Sequence, residues 1–212
     1  SCMDYVRDAV REKIDAGQEN PFGDELKRAE TFLASLVWNS IGDVVVAARE
    51  AMSWLQDVAR VATAAGVPLK WTTPSGFVVH QAYREKKDQR IETRFCGSIV
   101  RFRSIDEDEK LDRMKQCSAV APNFVHSMDA SALMLTVCAG LDEGITSWAM
   151  IHDSYGTHAA DTDKLAAILR REFVRMYQEN DVLAKFREEI AAQLPPEKAA
   201  ELPPVPTPGD LD

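Results

Sequence analysis

The first third of the chain carries apolar residues at helical spacing. Between residues 4 and 16 these are Tyr5, Val6, Ala9, Val10 and Ile14. Gly17 predicts the end of this helix. A longer helical pattern follows the turn at residues 21–24, where Asp24 is a candidate N-cap, and ends at Gly66. Gly42 lies inside it and indicates either a break or a close helix contact. The apolar residues on or near one face are Phe32, Leu33, Leu36, Val37, Ile41, Val44, Val45 and Ala48.

The pattern changes from helical to extended between Leu69 and Arg103. The segments LKWTT, GFVVHQAY and SIVRFRS are rich in β-branched and aromatic residues, and Pro74-Ser75-Gly76 supplies a tight turn. We therefore expect an antiparallel strand pair with a long, basic excursion. Residues 106–117 are polar with mixed charge and predict a loop or a short helix.

A helix followed by a short hairpin is expected next. A helix is predicted from about residue 121 to Leu141, closed by Gly144. The segment TSWAMIHDSYGTHAA then predicts two strands joined by a polar turn at residues 152–154.

The C-terminal pattern predicts two further helices and a tail. Asp161 and Thr162 are candidate caps of the first helix, Asn180-Asp181 break it, and a shorter helix continues to Leu194. Residues 195–212 are rich in proline and are expected to be extended or disordered. The predicted fold class is α+β, mostly helical with small antiparallel hairpins.

Composition and charge restrict the classes of function. The chain is 45% hydrophobic and 28% charged, values of an ordinary globular protein. It contains no run of about 20 apolar residues, so no membrane segment is expected. The net charge of −9 argues against a nucleic-acid binder with a generally basic surface. Contacts with DNA or RNA would need a local patch.

One such patch lies between residues 84 and 103. Its basic residues are Arg84, Lys86, Lys87, Arg90, Arg94, Arg101 and Arg103. The alternative interpretation is a solvated hairpin edge that charge protects from pairing with other strands. The four cysteines, at 2, 96, 117 and 138, lack CxxC spacing and are expected to be free thiols in a reducing compartment.

The IHDS turn places a carboxylate, Asp153, at the expected tip of a hairpin. Two-metal phosphoryl transfer needs exposed carboxylate oxygens on a rigid support, and magnesium needs only one or two protein carboxylates. The alternative is that polar residues occupy this turn for conformational reasons alone.

The segment APNFVHSMDASAL is the second candidate. Asn123 or Ser127 is a possible helix cap, and His126 and Asp129 lie three residues apart on one helix face. Polar side chains at this spacing can line a groove and meet the minor-groove edge of a base pair. The alternative is that Ser127 and Asp129 belong to the first turn and complement the helix dipole.

These motifs occur together and in a specific order. LVWNSIGDVVVAAREAMSWL, WTTPSGFVVHQAY, APNFVHSMD, AMIHDSYGT and NDVLAKF resemble segments of phage-type and mitochondrial single-subunit RNA polymerases, within the wider family that includes bacterial DNA polymerase I. The resemblance runs from about Leu36 to Phe186 and weakly back to Asp4. It implies fingers-like helices over 1–68, a strand pair with a specificity-hairpin-like excursion over 69–118, a palm-like region over 119–194 and a Pro-rich tail over 195–212.

The resemblance also implies roles for individual residues. Asp153 would be a catalytic aspartate that binds two magnesium ions, with His152 beside it at the RNA 3′ end. His126, with Asn123 nearby, would face the minor groove of the new base pair, which presents the same acceptors for A·T and T·A. The arginines implied on the hairpin that enters promoter DNA are Arg90, Arg94, Arg101 and Arg103.

Two family features are missing from the sequence: a first palm aspartate and a fingers helix with the pattern RxxxKxxxYG. We therefore expect a C-terminal fragment, inactive and prone to self-association when isolated, of an enzyme that acts in the cytoplasm, in the host cell if phage-encoded. The partners of the complete enzyme would be template and promoter DNA, nascent RNA and ribonucleoside triphosphates. The alternatives are a related DNA polymerase and a non-catalytic helical interaction domain. The polymerase hypothesis requires Asp153 and His126 to share one concave surface.

Overall fold

The computed structural model describes residues 2–207, in two compact units that divide between Ala51 and Met52. The helices are α1 (Cys2–Asp15), α2 (Leu26–Val44), α3 (Val46–Ala64), α4 (Arg113–Asp142), α5 (Thr162–Glu179), α6 (Val182–Gln193) and α7 (Pro196–Ala199). The strands are β1 (Leu69–Thr72), β2 (Val78–Gln81), β3 (Arg84–Phe95), β4 (Ser98–Leu111), β5 (Ala149–Ile151) and β6 (Ser154–Gly156). They form the antiparallel pairs β1–β2, β3–β4 and β5–β6. The expected α+β class is confirmed.

The helical region predicted between Asp24 and Gly66 is divided in two. Val45 lies outside the helical conformation, with φ −111° and ψ 59°, between α2 and α3. It is the middle of three consecutive valines, whose β-branched side chains lose rotamer freedom in a helix. Gly42 marks the close contact instead, because the Arg49 side chain occupies the space that a β-carbon at this position would need.

The apolar stripe predicted on α2 lies largely at the surface. Phe32, Leu36, Ile41 and Val44 are exposed, and Val44 is 83% exposed. A surface depression of about 430 Å³ is lined by Leu36, Val37, Ser40, Ile41, Val44 and Val45. Each apolar side chain that lines this depression is 41% or more exposed.

Four aromatic side chains form the centre of the second unit. Trp54 of α3, Trp71 of β1, Phe124 of α4 and Phe186 of α6 are all buried. Their ring centroids are separated by 5.2 to 6.2 Å, mostly in edge-to-face geometry, which adds about 0.5–1.5 kcal/mol per pair to the effect of burial. Phe124 therefore anchors α4 in the core.

The basic excursion is the long β3–β4 hairpin. Its register runs from Arg84 opposite Leu111 to Phe95 opposite Ser98. The prediction of a loop or short helix from residue 106 was wrong, because β4 continues to Leu111. Acidic residues at this end of β4 face lysines of β3, as Glu107 does Lys86, and such opposite-charge pairs stabilise a strand pair.

The start of α4 was predicted too late in the chain. The helix begins at Arg113, and the Asp112 side chain caps it by accepting a hydrogen bond from the Lys115 N–H at 3.0 Å. Pro122 lies inside the helix and removes one backbone hydrogen bond. Burial of apolar residues on both sides of it, such as Val120 and Phe124, favours a continuous helix despite this cost.

This start changes the interpretation of the polar residues on α4. Asn123, Ser127 and Asp129 lie well inside the helix, so the expected cap at Asn123 or Ser127 and the helix-dipole explanation for Ser127 and Asp129 were both wrong. The helix is long and apolar enough to cross a membrane, a property that core helices of globular proteins share. One third (33%) of its most apolar window is buried inside the protein.

The C-terminal helices follow the predicted division at Asn180-Asp181. Asp161 occupies the N-cap position of α5 without a capping side-chain hydrogen bond, so that expectation was wrong. Asp181 caps α6 by accepting from the Ala184 N–H at 3.0 Å. The prediction of an extended or disordered tail was wrong for residues 196–199, which form α7. The tail folds onto the second unit: Leu202 is buried, and the Arg187 Nε donates to the Pro203 carbonyl at 2.9 Å. The rest of the predicted tail, residues 208–212, lies outside the described residues.

Candidate functional site

The β5–β6 hairpin holds Asp153 at its tip, as predicted. Ile151 pairs with Ser154, which leaves His152 and Asp153 as a two-residue turn. His152 has a φ of +54°, a left-handed conformation that few non-glycine residues adopt. Both side chains are exposed. The turn therefore presents an imidazole and a carboxylate to solvent from a defined backbone.

Packing at the base of this hairpin fixes its position in the second unit. Tyr155 of β6 lies against a small buried cluster made by Ile145, Leu165 and Ile168. The Thr157 hydroxyl donates to the Ser147 carbonyl at 2.8 Å. The tip is thus solvent-exposed while its supports are anchored between α4 and α5.

A cleft of about 840 Å³ separates the hairpin tip from α4. Its walls are His126, Asp129, Ala130, Leu133 and Met134 on successive turns of one face of α4, and His152 and Asp153 on the hairpin. His126 and Asp153 thus line the same concave surface, which the polymerase hypothesis requires and a simple interaction domain does not.

A smaller cavity of about 340 Å³ adjoins the same carboxylates. It is lined by Asp129, Ala132, Asp153, Tyr155, Leu169, Arg170 and Phe173. Burial, reinforced by the negative charges of Asp129 and Asp153, raises the pKa of the Tyr155 phenol. Burial and the charge of Asp129 also raise the pKa of Tyr177. Deprotonation of either phenol therefore requires a higher pH than deprotonation of an ordinary tyrosine.

Asp129 lines both cavities but was not among the predicted site residues. In the sequence it lies three residues after His126 on one helix face, a spacing at which polar side chains can line a groove, but it was assigned no role in the site. That Asp129 and Asp153 line the same two cavities could not be predicted, because this depends on how the hairpin packs against α4.

Asn123 does not line the cleft, although it lies only one turn from His126. Its side-chain amide donates to Gln81 Oε1 at 2.8 Å and to the Tyr83 hydroxyl at 3.3 Å. The structure therefore brings His126, His152 and Asp153 together and places Asn123 at the base of the β3–β4 hairpin.

The four predicted arginines share one face of the β3–β4 hairpin. Side chains alternate between the faces of a strand, so Arg90 and Arg94 lie on one face of β3. Arg103 stands opposite Arg90, and Arg101 stands opposite Glu92, on the same face. We call this set, together with Asp88 and Glu92, the arginine face.

Two of these arginines are neutralised by carboxylates of the arginine face. The Arg101 Nε lies 2.6 Å from Glu92 Oε1, and the Arg103 Nε lies 2.7 Å from Asp88 Oδ1. The hydrogen bond from Arg103 lowers the pKa of Asp88. Arg90 and Arg94 form no ion pair within the described part of the chain. The strongest unbalanced positive charge on the hairpin therefore lies on β3.

The cleft offers only part of a metal-binding shell. Among the described residues there is no group of three or more His, Cys, Asp and Glu side chains that could hold an ion. Asp153 is exposed, and Asp129 lies on the facing wall. These carboxylates fit magnesium as ligands only if other oxygens complete the shell.

Comparison with known proteins decides the family. The family model described as DNA-dependent RNA polymerase matches residues 2–204. The chain belongs to this family. The motif resemblance on which the sequence interpretation rested is thereby confirmed, and the matched range covers the cleft, all three strand pairs and the helices of the first unit.

Similar polymerases come from phages and from plant organelles. The DNA-directed RNA polymerase of Enterobacteria phage T3 is 38% identical over 220 residues, which are 97% of this chain and 25% of the relative. T7 RNA polymerase of Escherichia phage T7 is 36% identical over 222 residues, 98% of this chain and 25% of the relative. DNA-directed RNA polymerase 2B, chloroplastic/mitochondrial, of Nicotiana tabacum is 35% identical over 207 residues, 98% of this chain and 19% of the relative. The chain spans a quarter or less of the length of these three relatives.

Proposed function

We propose that this chain supplies one wall of the active cleft in a template-directed RNA polymerase. The observation that carries the proposal is the shared cleft of His126 and Asp153. Nucleotidyl transfer needs a carboxylate next to the groove of the newly formed base pair, and here the hairpin tip presents that carboxylate opposite the face of α4 that carries His126 and Asp129. The membership of the chain in the RNA polymerase family supports this choice over a DNA polymerase.

The reaction of the complete enzyme is ribonucleotidyl transfer. The 3′-hydroxyl oxygen of the nascent RNA forms a bond to the α-phosphorus of a ribonucleoside triphosphate. The bond to the β-phosphate oxygen breaks, pyrophosphate leaves with that electron pair, and the hydroxyl proton passes to solvent. Asp153 and His152 lie beside the RNA 3′ end in this proposal.

Magnesium is the cofactor we assign to the reaction, as two ions in the complete enzyme. Asp153 would hold these ions together with oxygen ligands from outside this chain, because the described residues supply no complete shell. When bound, the ions stabilise negative charge on the phosphate oxygens.

The nucleic-acid contacts divide between the cleft and the long hairpin. His126 faces the minor groove of the new base pair, and Asn123 offers its remaining acceptor, Oδ1, one turn away. The arginine face enters the major groove of promoter DNA, which is wide enough for a two-stranded ribbon. Template DNA, nascent RNA and ribonucleoside triphosphates complete the set of partners.

Two further proposals concern the setting of the chain. The site of action is the cytoplasm, that of the host cell if the gene belongs to a phage. The isolated chain self-associates through the exposed apolar side chains of α2, because such patches favour association.

The test is primer extension by a hybrid in which this chain replaces the matching region of T7 RNA polymerase. Asp153→Asn keeps the size of the side chain and removes its charge. We expect turnover to fall by roughly 10²- to 10³-fold or more, as for other groups that act on transition-state charge, with little change in DNA affinity. Asp163→Asn, an exposed acid in the first turn of α5, is the matched control. Near-normal turnover of Asp153→Asn would remove this residue from the catalytic site.

The isolated chain gives a second, independent result. Because the described residues hold no complete metal site, we expect no extension of an RNA primer on a DNA template by the 212-residue protein with magnesium. Extension by the pure chain would contradict the proposal that it forms only one wall of the cleft.

A further inference from the structure

A network of buried amides connects the base of the β3–β4 hairpin to α4. Gln81 ends β2, and Gln116 lies in the first turns of α4; both are almost fully buried. The Gln81 Nε2 donates to the backbone carbonyl and to Oε1 of Gln116, both at 2.9 Å. In return, the Gln116 Nε2 donates to the Gln81 backbone carbonyl at 3.0 Å. Each glutamine thus satisfies a main-chain carbonyl of the other's element.

These two carbonyls fix which way every amide in the network faces. A backbone carbonyl can only accept, so it requires the NH₂ group of each glutamine to point at it. Gln81 must then turn its Oε1 towards Asn123, and this oxygen in turn requires the NH₂ group of Asn123. The second hydrogen of that NH₂ group is donated to the Tyr83 hydroxyl oxygen. Both donors of Asn123 are therefore used inside the protein.

The β3–β4 hairpin depends on this network of amides at its base for its orientation. Every residue from 86 to 99 is exposed, so that part of the hairpin packs against no other element. Tyr83 precedes β3 directly, and its carbonyl accepts from the Asp112 N–H at 2.9 Å, which closes the hairpin base. Gln116 and Asn123 hold Gln81 and Tyr83 against α4, and Asn123 lies one turn before His126 of the cleft.

We propose that Gln81, Gln116 and Asn123 form a polar joint that sets the direction of the arginine face relative to the cleft. They are positioning residues: they act on promoter DNA through the hairpin. This inference rests on the proposed function only for the role of the hairpin in promoter binding. The existence of the joint stands on the hydrogen bonds alone.

The experiment measures the spread of hairpin positions by electron–electron double resonance between two spin labels. One label occupies the exposed Cys96 at the hairpin tip, and the other an introduced cysteine, Glu188→Cys, on the exposed side of α6. Serine replaces the remaining cysteines, which are Cys2, Cys117 and Cys138. In the 212-residue chain an intact joint should give one narrow distance distribution.

Two variants break the joint in different ways. Gln116→Met keeps the length of the side chain and removes its hydrogen bonds. Asn123→Asp replaces the NH₂ group by a carboxylate oxygen, which faces Gln81 Oε1 with no proton to donate. Each lost hydrogen bond should raise the displaced population roughly 2- to 10-fold, seen as a broader distribution. Asn123 is only half-buried, so Asn123→Asp is expected to fold. It tests the joint if Gln116→Met does not fold. Ser118→Ala, an exposed change on α4, should leave the distribution narrow. A narrow distribution in folded Asn123→Asp would overturn the joint.

A second readout separates positioning from general structural support. The T7 hybrid carrying Gln116→Met is compared with its parent on a duplex promoter selected in vitro for the parent, and on a primer–template. We expect a roughly 2- to 10-fold higher KM for the promoter per hydrogen bond lost, with the kcat of primer extension unchanged. An equal loss of activity on the duplex promoter and on the primer–template would overturn the link to promoter binding. An inactive parent hybrid would contradict the proposed function, while the spin-label distances still decide the joint.

Discussion

Replacing Asp88 by asparagine and Glu92 by glutamine would free the two neutralised arginines of the arginine face. In the native hairpin Arg101 and Arg103 are each hydrogen-bonded to one of these carboxylates. A paired arginine must release its carboxylate before it can bind a phosphate, and that carboxylate then repels the DNA. The double variant keeps the size of both side chains and changes only their charge.

The expected effect follows from the number of arginines released. Each phosphate that a protein cation neutralises adds about 0.9 to the slope of log affinity against log salt concentration. Two further arginines therefore steepen the slope by up to about 1.8. Between 50 and 200 mM salt the double variant should lose about tenfold more of its affinity for duplex DNA than the native chain loses. At the lower salt concentration it should bind more tightly than the native chain.

The assay is fluorescence anisotropy of a labelled DNA duplex titrated with the 212-residue chain at several salt concentrations. Asp8→Asn combined with Glu12→Gln is the matched control, because it changes the net charge equally at two exposed positions on α1. The control should leave the slope unchanged. Equal slopes for the native chain and the hairpin variant would refute the view that these carboxylates mask DNA-binding arginines.

The remaining predictions concern stability. Phe186→Ala should lower the free energy of unfolding by about 3–5 kcal/mol, since this buried ring contacts three other aromatic rings. Phe173→Ala, at a 45% exposed position, should lower it much less. Urea denaturation measures both changes, and equal losses of stability would contradict the assignment of the core. Burial and the charge of Asp129 raise the pKa of Tyr177. The folded state therefore keeps the phenol proton to a higher pH than the unfolded state does. The free energy of unfolding should fall as pH rises above about 10. Tyr177→Phe should flatten that fall in urea titrations between about pH 8 and 11, and an unchanged pH dependence would refute the effect.

Local signals in the sequence predicted most of the elements. Gly17, with a φ of +87°, ends α1, and Asn180-Asp181 separates α5 from α6, because these residues act within one turn of their own position. The tip of the β5–β6 hairpin was predicted for the same reason. The shared cleft of His126 and Asp153 was expected only from the family resemblance, since nothing local brings α4 and that hairpin together.

The errors arose where distant residues decide the structure. Pro122 indicated a helix start, but burial on both sides of it extends α4 back to the cap at Asp112. The acidic end of β4 suggested a loop, whereas lysines across the strand pair stabilise it. The link between Gln81 and Gln116 spans 35 positions along the chain and leaves no periodic signal.

The folded tail determines where a shorter version of this protein can end. Leu202 is buried, and Val205 packs partly against the same core as Trp71 and Phe186. A chain stopped at Leu194 would expose that surface to water and lose about 1.5–3 kcal/mol for Leu202 alone. Domain-mapping by truncation should therefore keep every residue through Val205, since cuts made at the first prolines would damage the hydrophobic centre while appearing to remove only a linker.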